Sequence, residues 1–545
     1  MRMLCRVPAA VFAIIVFCVS GATTNIAKSK EPERRQLSRV AFEDKVRGGW
    51  AGQMIGVSFG APTEFRSMGA IIEGDLPEWA PDHVKNAIDQ DDLYVEMTFA
   101  AVMDRKGLGA TTRQYGEAFR DSKYDLWHAN AGARRLLNIG IEAPRSGQPE
   151  FNAHANDIDF QIESDFIGLM SPGLPHAAAH HSQRVGRVMN SGDGLYGGLF
   201  ITGMYAAAFF ETDPERVVRA GLAMLPSGSG YAAIIRDVLE WHAAHPDDWR
   251  QTWHLLEDKW DKNDACPDGS LRPFNIDARL NGAYVALGLL YGGGDFTRTL
   301  DVATRSGQDS DCNPSSAGGI LGVMIGYDRI PDHWKGGIPA IATQKFSFTD
   351  YSFEEIVTST IKRAEKVVVA EGGKVEGHDL SIPLQHPEPP PLEQWDMGVP
   401  DSLVPSSDAA WQWSAGWVAT TGGDNGRRLS AKTKGESVTL TFDGIAVSIL
   451  GPLTQSGGRA DVWLDGKKAH GIDAWIPERT NDDALWHAYG LAPGRHTVKI
   501  VIAGAANSQS HGTDVTIQTA VTYKSHAGAQ ERAPVAPNPL PPSPQ

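Results

Sequence analysis

The chain has 545 residues, too many for one hydrophobic core, which points to two or three domains. A formal net charge of -16 argues against a nucleic-acid backbone as the main partner and suits metal ions and neutral substrates. With 41% hydrophobic residues and 58 glycines, most of the chain is expected to be globular.

Residues 1–22 read as an export signal. Arg2 and Arg6 precede the apolar stretch from Val7 to Val19, and Ser20-Gly21-Ala22 offers small residues for cleavage. The apolar stretch is shorter than a comfortable bilayer crossing, and no other segment is long and apolar enough to span one; an uncleaved anchor is the alternative. The expected location is periplasmic or extracellular, without stable membrane insertion after cleavage. Residues 23–40 are polar and basic and are expected to form a flexible leader. Of the four cysteines, Cys5 and Cys18 lie in the signal. Cys266 and Cys312 are expected as thiols, with a bridge between them as the alternative, and no Cys-x-x-Cys or zinc-type spacing occurs.

Residues 41–375 carry a helical pattern. Ile234, Ile235, Val238 and Leu239 mark one buried helical face, which ends near His245-Pro246. Segments such as 198–210 and 280–290 are apolar on most sides and rich in Ala and Gly, as closely packed helices require. Pro383, Pro387, Pro389, Pro390 and Pro391 make residues 376–400 an extended linker. Beyond it the period changes from helix to strand. Val438, Leu440 and Phe442 alternate with threonines before the turn signal Asp443-Gly444, and Val498, Ile500 and Ile502 form another alternating run. Residues 401–525 are therefore expected to be an all-β sandwich, which resembles galactose-binding-like sandwiches in its strand pattern. Its Trp411, Trp413, Trp417, Trp463, Trp475 and Trp486 either fill the core or stack on sugar rings. Residues 526–545 are proline-rich and expected to be disordered.

Two short acidic clusters stand out. Asp89, Asp91 and Asp92 lie beside one helix-like segment. Asp309 and Asp311 follow Gly307 and precede a small-residue run, 314–319. Each cluster alone reads equally as a helix cap. If the two meet in space, their carboxylates stay ionised together only around something positive, and hard cations take such oxygen ligands.

Residues 45–335 resemble the ADP-ribosylglycohydrolase family. Three motifs carry the resemblance. The first is the glycine-rich run Gly52-Gln53-Met54-Ile55-Gly56-Val57-Ser58-Phe59-Gly60, continued by Ala61-Pro62-Thr63-Glu64. The second is Gln90-Asp91-Asp92, and the third is Gly307-x-Asp309-x-Asp311-Cys312. Ala317 to Gly322 and Ile330-Pro331-x-x-Trp334 fit the family's closing helix. The resemblance implies an all-α catalytic domain with two magnesium ions, manganese being the alternative. It implies Asp91, Asp92, Asp309 and Asp311 as metal ligands and Glu64 as a contact to a metal or the attacking water. Glu64 or Asp309 would then act as general base or acid. The chain departs from the family at Gln90 and Cys312, where threonine is usual. Gln90 still offers a carbonyl oxygen, whereas Cys312 is a poor ligand for a hard cation.

Asp193 and Tyr196, in the segment 191–198 that opens an apolar helix, are further candidates for substrate contact, with a helix cap as the other reading of Asp193. The function implied is metal-dependent hydrolysis of an N- or O-glycosidic bond, in an ADP-ribosyl conjugate or an extracellular furanoside. The alternative is a non-catalytic glycan-binding protein with a degenerate metal site.

Overall fold

Ser38 ends a short strand and caps the 22-residue helix Arg39–Gly60, its side chain accepting from the Ala41 amide at 3.2 Å. The computed structural model describes residues 33–261, 264, 266–377, 379–393, 395–421, 427–477 and 483–526. The export signal, most of the leader and all but the first residue of the proline-rich tail lie outside the described residues. From Arg34 onward these residues form one compact unit.

The first helix is shaped by glycines four residues apart, which share one face. A Cβ on Gly48, Gly52, Gly56 or Gly60 would lie 2.2, 2.1, 2.1 and 2.1 Å from the carbonyl oxygens of Gly322, Gly318, Pro314 and Ser310. The helix Cys312–Ile325 therefore lies backbone to backbone along it. Around this pair the helices Asp193–Ala208 and Ala278–Gly292 are buried on nearly every side, which explains their apolar, amphipathy-free sequences.

The expected leader is partly structured. Strand Arg34–Ser38 pairs antiparallel with Asp379–Pro383, which also pairs with Lys374–Glu376. Leu37, Leu380 and Ile382 join the core of the helical body. Ordering is favoured here because pairing satisfies the backbone while three apolar side chains leave water. The end of the proline-rich stretch also lies against the helical body at Glu393. Glu393 pairs with Arg187 and accepts from the Gly192 amide at 3.2 Å, while its own amide donates to the Tyr196 hydroxyl at 2.7 Å.

The C-terminal region is antiparallel sheet. Strands Gly458–Leu464, Gly494–Ala506, Ser437–Gly444 and Trp411–Trp413 follow one another in one sheet, and Asp483–Ala488, Ala446–Gly451, Thr519–Lys524 and Val399–Pro405 in a second. Val438, Leu440, Val447, Ile449, Val498 and Ile500 share one apolar core. Trp411, Trp417, Trp475 and Trp486 are buried in this region, and Trp413 and Trp463 are half-buried. The indole N–H groups of Trp411, Trp417 and Trp486 donate to the Val404, Ser437 and His470 carbonyls. These indoles fill the core, as buried aromatics with a satisfied polar edge do.

The sheet region contacts the helical body through Arg135, which donates to the Asp473 carbonyl at 3.0 Å, and through Ser270, 3.2 Å from the Tyr523 hydroxyl. Among the described residues no helix is long and apolar enough to cross a membrane.

Candidate active site

Close approach of the two glycine-lined helices brings the first acidic element to the second. Gly60 ends its helix against Ser310, so residues 63–67 run beside the turn at 307–311. Gly307 and Gln308 both adopt positive φ, 79° and 52°. At Gly307 a Cβ would meet the Ser67 carbonyl oxygen at 2.5 Å, which makes glycine necessary there. The Gln308 amide donates to Ser67 O at 2.9 Å, and its carbonyl accepts from the Phe65 amide at 3.0 Å. Its side-chain Oε1 accepts from the Asn275 amide and its Nε2 donates to Pro273 O, each at 2.9 Å. Thr63 Oγ1 and Ser310 Oγ add a 2.8 Å hydrogen bond. One glutamine thus ties the Glu64 loop and the 273–275 loop to the turn that carries Asp309 and Asp311.

Asp91 and Asp92 occupy the first turn of the helix Asp91–Lys106. Two carboxylates suit the positive end of that helix dipole. The two acidic clusters do meet. Ligand-capable atoms of Glu64, Asp309 and Asp311 lie within 4.8 Å of one another, as do those of Asp92, Asp311 and Cys312. Oδ1 of Asp92, of Asp309 and of Asp311 is buried and has no hydrogen-bond partner among the described residues. Three such orphan oxygens are costly unless something positive satisfies them.

The electrostatics agree. Burial, followed by the charge of Asp311, pushes the carboxyls of Asp92 and Asp309 well above the usual range. Burial raises Asp311 as well. Asp91 rises to about 6 through burial and then Asp311. Glu64 approaches from an exposed loop. Partial desolvation, then Asp311 and Asp91, raise it to about 7. The oxygen-only donors among these residues fit a hard divalent cation, which would draw all five carboxyls back to the ionised form.

Glu64, Asp91, Asp309 and Cys312 face a cleft of about 830 Å³. Its other walls include Tyr94, Trp127, His128 and Phe274. Trp127 keeps 54% of its surface exposed, unlike the buried indoles of the sheet region. It immediately precedes the helix His128–Asn138, whose Ala129 and Asn130 amides donate to the Asp159 carboxylate at 3.2 and 2.8 Å. Trp127, His128, Asp159 and Gln308 are absent from the sequence expectations. Only the glycine beside Gln308 hints at its special backbone; the others belong to no motif.

The model of the ADP-ribosylglycohydrolase family matches residues 38–363. The chain belongs to this family. A solved ADP-ribosylglycohydrolase-related protein complex is similar at 15% identity and a TM-score of 0.37, covering 60% of this chain and 98% of that one. A two-domain esterase active on acetylated mannans is similar at 18% identity and a TM-score of 0.20, covering 32% of this chain and 47% of that one. The A type blood N-acetyl-alpha-D-galactosamine deacetylase of Flavonifractor plautii is 30% identical over 189 residues, 34% of this chain. The chain spans 23% of that relative's length.

Within the ADP-ribosylglycohydrolase frame the two departures have distinct surroundings. The Gln90 side chain donates to Asn86 Oδ1 at 2.8 Å while the residue sits at the N-cap of its helix. Cys312 opens the helix Cys312–Ile325, and its thiol donates to Asp92 Oδ2 at 3.2 Å. Asp193 and Tyr196 are not among the described residues lining the cleft. Asp193 accepts from the Tyr231 amide at 3.0 Å, which places its carboxylate at the start of the helix Gly230–Ala244, and Arg279 lies 3.8 Å away. The Tyr196 hydroxyl donates to Pro391 O at 3.3 Å. Both hold structure together: a carboxylate at a helix start satisfies free amides, and the tyrosine anchors the proline-rich stretch.

Proposed function

We propose that this family member hydrolyses a glycosidic bond with the help of divalent cations held by Asp91, Asp92, Asp309 and Asp311. The observation that carries the proposal is the set of three buried, unpartnered carboxylate oxygens on Asp92, Asp309 and Asp311. Magnesium is the first choice and manganese the second, because the carboxylates offer oxygen alone. Bound cations would orient adjacent sugar hydroxyls and offset charge that develops in the transition state.

The chain's own residues supply the rest. Glu64, raised to about 7 without a cation and drawn back down beside one, is ionised near neutral pH and placed to take a proton from an attacking water. Asp309 stays on the buried floor as a ligand. Trp127 and Phe274 offer apolar faces to a sugar ring across the cleft. The substrate we propose is an extracellular glycan, a furanoside with adjacent free hydroxyls, which the chain would meet after export. The glycan named in the Flavonifractor relative supports that direction over an ADP-ribosyl conjugate.

The test is release of sugar from aryl furanosides and ADP-ribosyl conjugates by purified protein with magnesium or manganese. Furanoside turnover that disappears with chelator and in Asp309→Asn supports the proposal. Metal binding and glycan binding without turnover of any substrate would replace it with the non-catalytic reading.

A further inference from the structure

A second group of ligand-type side chains stands apart from the five carboxylates. His128, His154, Cys266 and Asp268 bring two imidazoles, a thiol and a carboxylate together, with their donor atoms all within 4.8 Å of one another. Cys266 Sγ is 3.5 Å from His154 Nδ1, and His128 Nδ1 is 3.3 Å from Asp268 Oδ2. Metal–nitrogen and metal–sulfur bonds of about 2.0 and 2.3 Å place tetrahedral donors about 3.3 to 3.8 Å apart. Both separations fall in that interval. His154 and Cys266 are buried, and His128 and Asp268 are half-buried on the cleft wall.

His154 lies between two carboxylates. His154 Nε2 lies 3.2 Å from Asp483 Oδ1, at the start of the sheet-region strand Asp483–Ala488. A carboxylate on the far nitrogen fixes the ring so that Nδ1 faces the other donors. Asp157 Oδ2 stands in the same group, 2.8 Å from His154 Nδ1 and 3.1 Å from Cys266 Sγ. It accepts the hydrogens that a cation would displace. His128 is held with φ of 46°, an uncommon value for a residue with a side chain.

We propose that His128, His154, Cys266 and Asp268 form a second metal site, selective for a thiophilic divalent cation such as zinc. The donor chemistry separates it from the carboxylate cluster: a thiolate with two imidazoles selects zinc, and carboxylates alone select magnesium or manganese. Four protein donors make the site structural. Binding releases the Cys266 thiol proton and the hydrogen on His154 Nδ1 to solvent, and four donor–metal bonds form with no change of oxidation state. The ion joins the start of the helix His128–Asn138, the loop at His154 and the 266–268 loop. Through Asp483 it also joins the sheet region to the cleft wall.

The test uses the full chain, loaded with zinc or cobalt(II) and then desalted. Elemental analysis should find one retained zinc per chain in the wild type and in Asp309→Asn. The cobalt form should show thiolate-to-cobalt charge-transfer absorption that persists in Cys312→Ser and vanishes in Cys266→Ser. Asp483→Asn should weaken zinc binding about 10- to 100-fold, as outer-shell changes do. His128→Ala, on the cleft wall, gives a second way to remove a ligand should Cys266→Ser not fold. Absence of retained zinc from the wild type overturns the proposal. So does a charge-transfer band that follows Cys312 instead of Cys266, or zinc retention unchanged by His128→Ala. None of these readouts depends on glycosidic activity.

Discussion

The Cys312 thiol donates a 3.2 Å hydrogen bond to Asp92 Oδ2, within the carboxylate cluster itself. A soft sulfur beside hard oxygen ligands supports Asp92 as a donor but is a poor ligand for magnesium. Cys312→Ser keeps a donor and supplies a harder oxygen, so magnesium should bind more tightly than in the wild type. Cys312→Ala removes that donor and should weaken magnesium binding about tenfold. Calorimetric titration of the three proteins checks the order Ser, Cys, Ala. Equal affinities would remove Cys312 from the site.

The glycine face of the first helix makes a stability prediction. A Cβ on Gly56 would lie 2.1 Å from Pro314 O, and backbone cannot rotate away as a side chain can. Gly56→Ala should cost about 3 kcal/mol or more in unfolding free energy, at the upper end for overpacking. It should also weaken metal binding, because the Pro314 helix carries Asp311 at its start. By contrast Gly107, with nothing within 4 Å of its added Cβ, has room but φ of 82°. Chemical denaturation of the Gly56 variant checks the prediction, and an unchanged midpoint would contradict it.

The acidic cluster sets a direction with pH. Glu64 rises from 4.5 to about 7 and Asp91 from 3.8 to about 6 on folding. A carboxyl with a raised folded-state pKa binds its proton more tightly when folded. Its contribution is therefore present at low pH and lost as pH rises through the folded value. Without metal, the cluster should favour stability near pH 4 and oppose it increasingly toward about pH 7. Added magnesium needs the ionised forms, so its stabilising effect should grow over the same interval. Thermal unfolding with magnesium or chelator at a series of pH values checks this. A magnesium effect that shrinks as pH rises would have the wrong sign.

The helical body, the sheet region and the meeting of Asp91 and Asp92 with Asp309 and Asp311 were legible because each rests on a local pattern. Helical and strand periods are written within a few residues, and the acidic motifs keep fixed spacings. Strand Arg34–Ser38 was not legible, since it is made by pairing across the chain; Gln36 bonds Ser381, 345 residues away. A polar, basic segment carries no periodic mark of such a partner. Gln308 was hidden for a related reason, because both its backbone and its amide serve loops distant in sequence. The His128, His154, Cys266 and Asp268 group spans loops and helix starts, where no spacing rule operates. For Asp193 the sequence left a substrate contact and a helix cap open, because a carboxylate at a helix start looks the same whether it faces a ligand or a neighbouring helix; its bond to the Tyr231 amide matches the cap.

Glu64 separates metal binding from chemistry. As a general base near the rim it should matter to turnover more than to the cation. Glu64→Gln should lower kcat by about 10²- to 10⁴-fold, the range for lost general-base catalysis, with a much smaller change in magnesium affinity. A bound cation draws Glu64 below its metal-free value of about 7, so the acidic limb of the kcat profile should lie below pH 7 and should disappear in Glu64→Gln. Steady-state kinetics across pH on a responsive furanoside reads both. Loss of magnesium binding in parallel with kcat would make Glu64 a ligand instead.

The most direct measurement is magnesium and manganese binding to wild type and Asp309→Asn, by calorimetry near neutral pH. The account predicts saturable binding to the wild type and a loss of at least one cation, together with sugar release, in Asp309→Asn. Failure of the wild type to bind either cation, or Asp309→Asn binding both as tightly as the wild type, would contradict the carboxylate cluster as the metal-dependent catalytic centre.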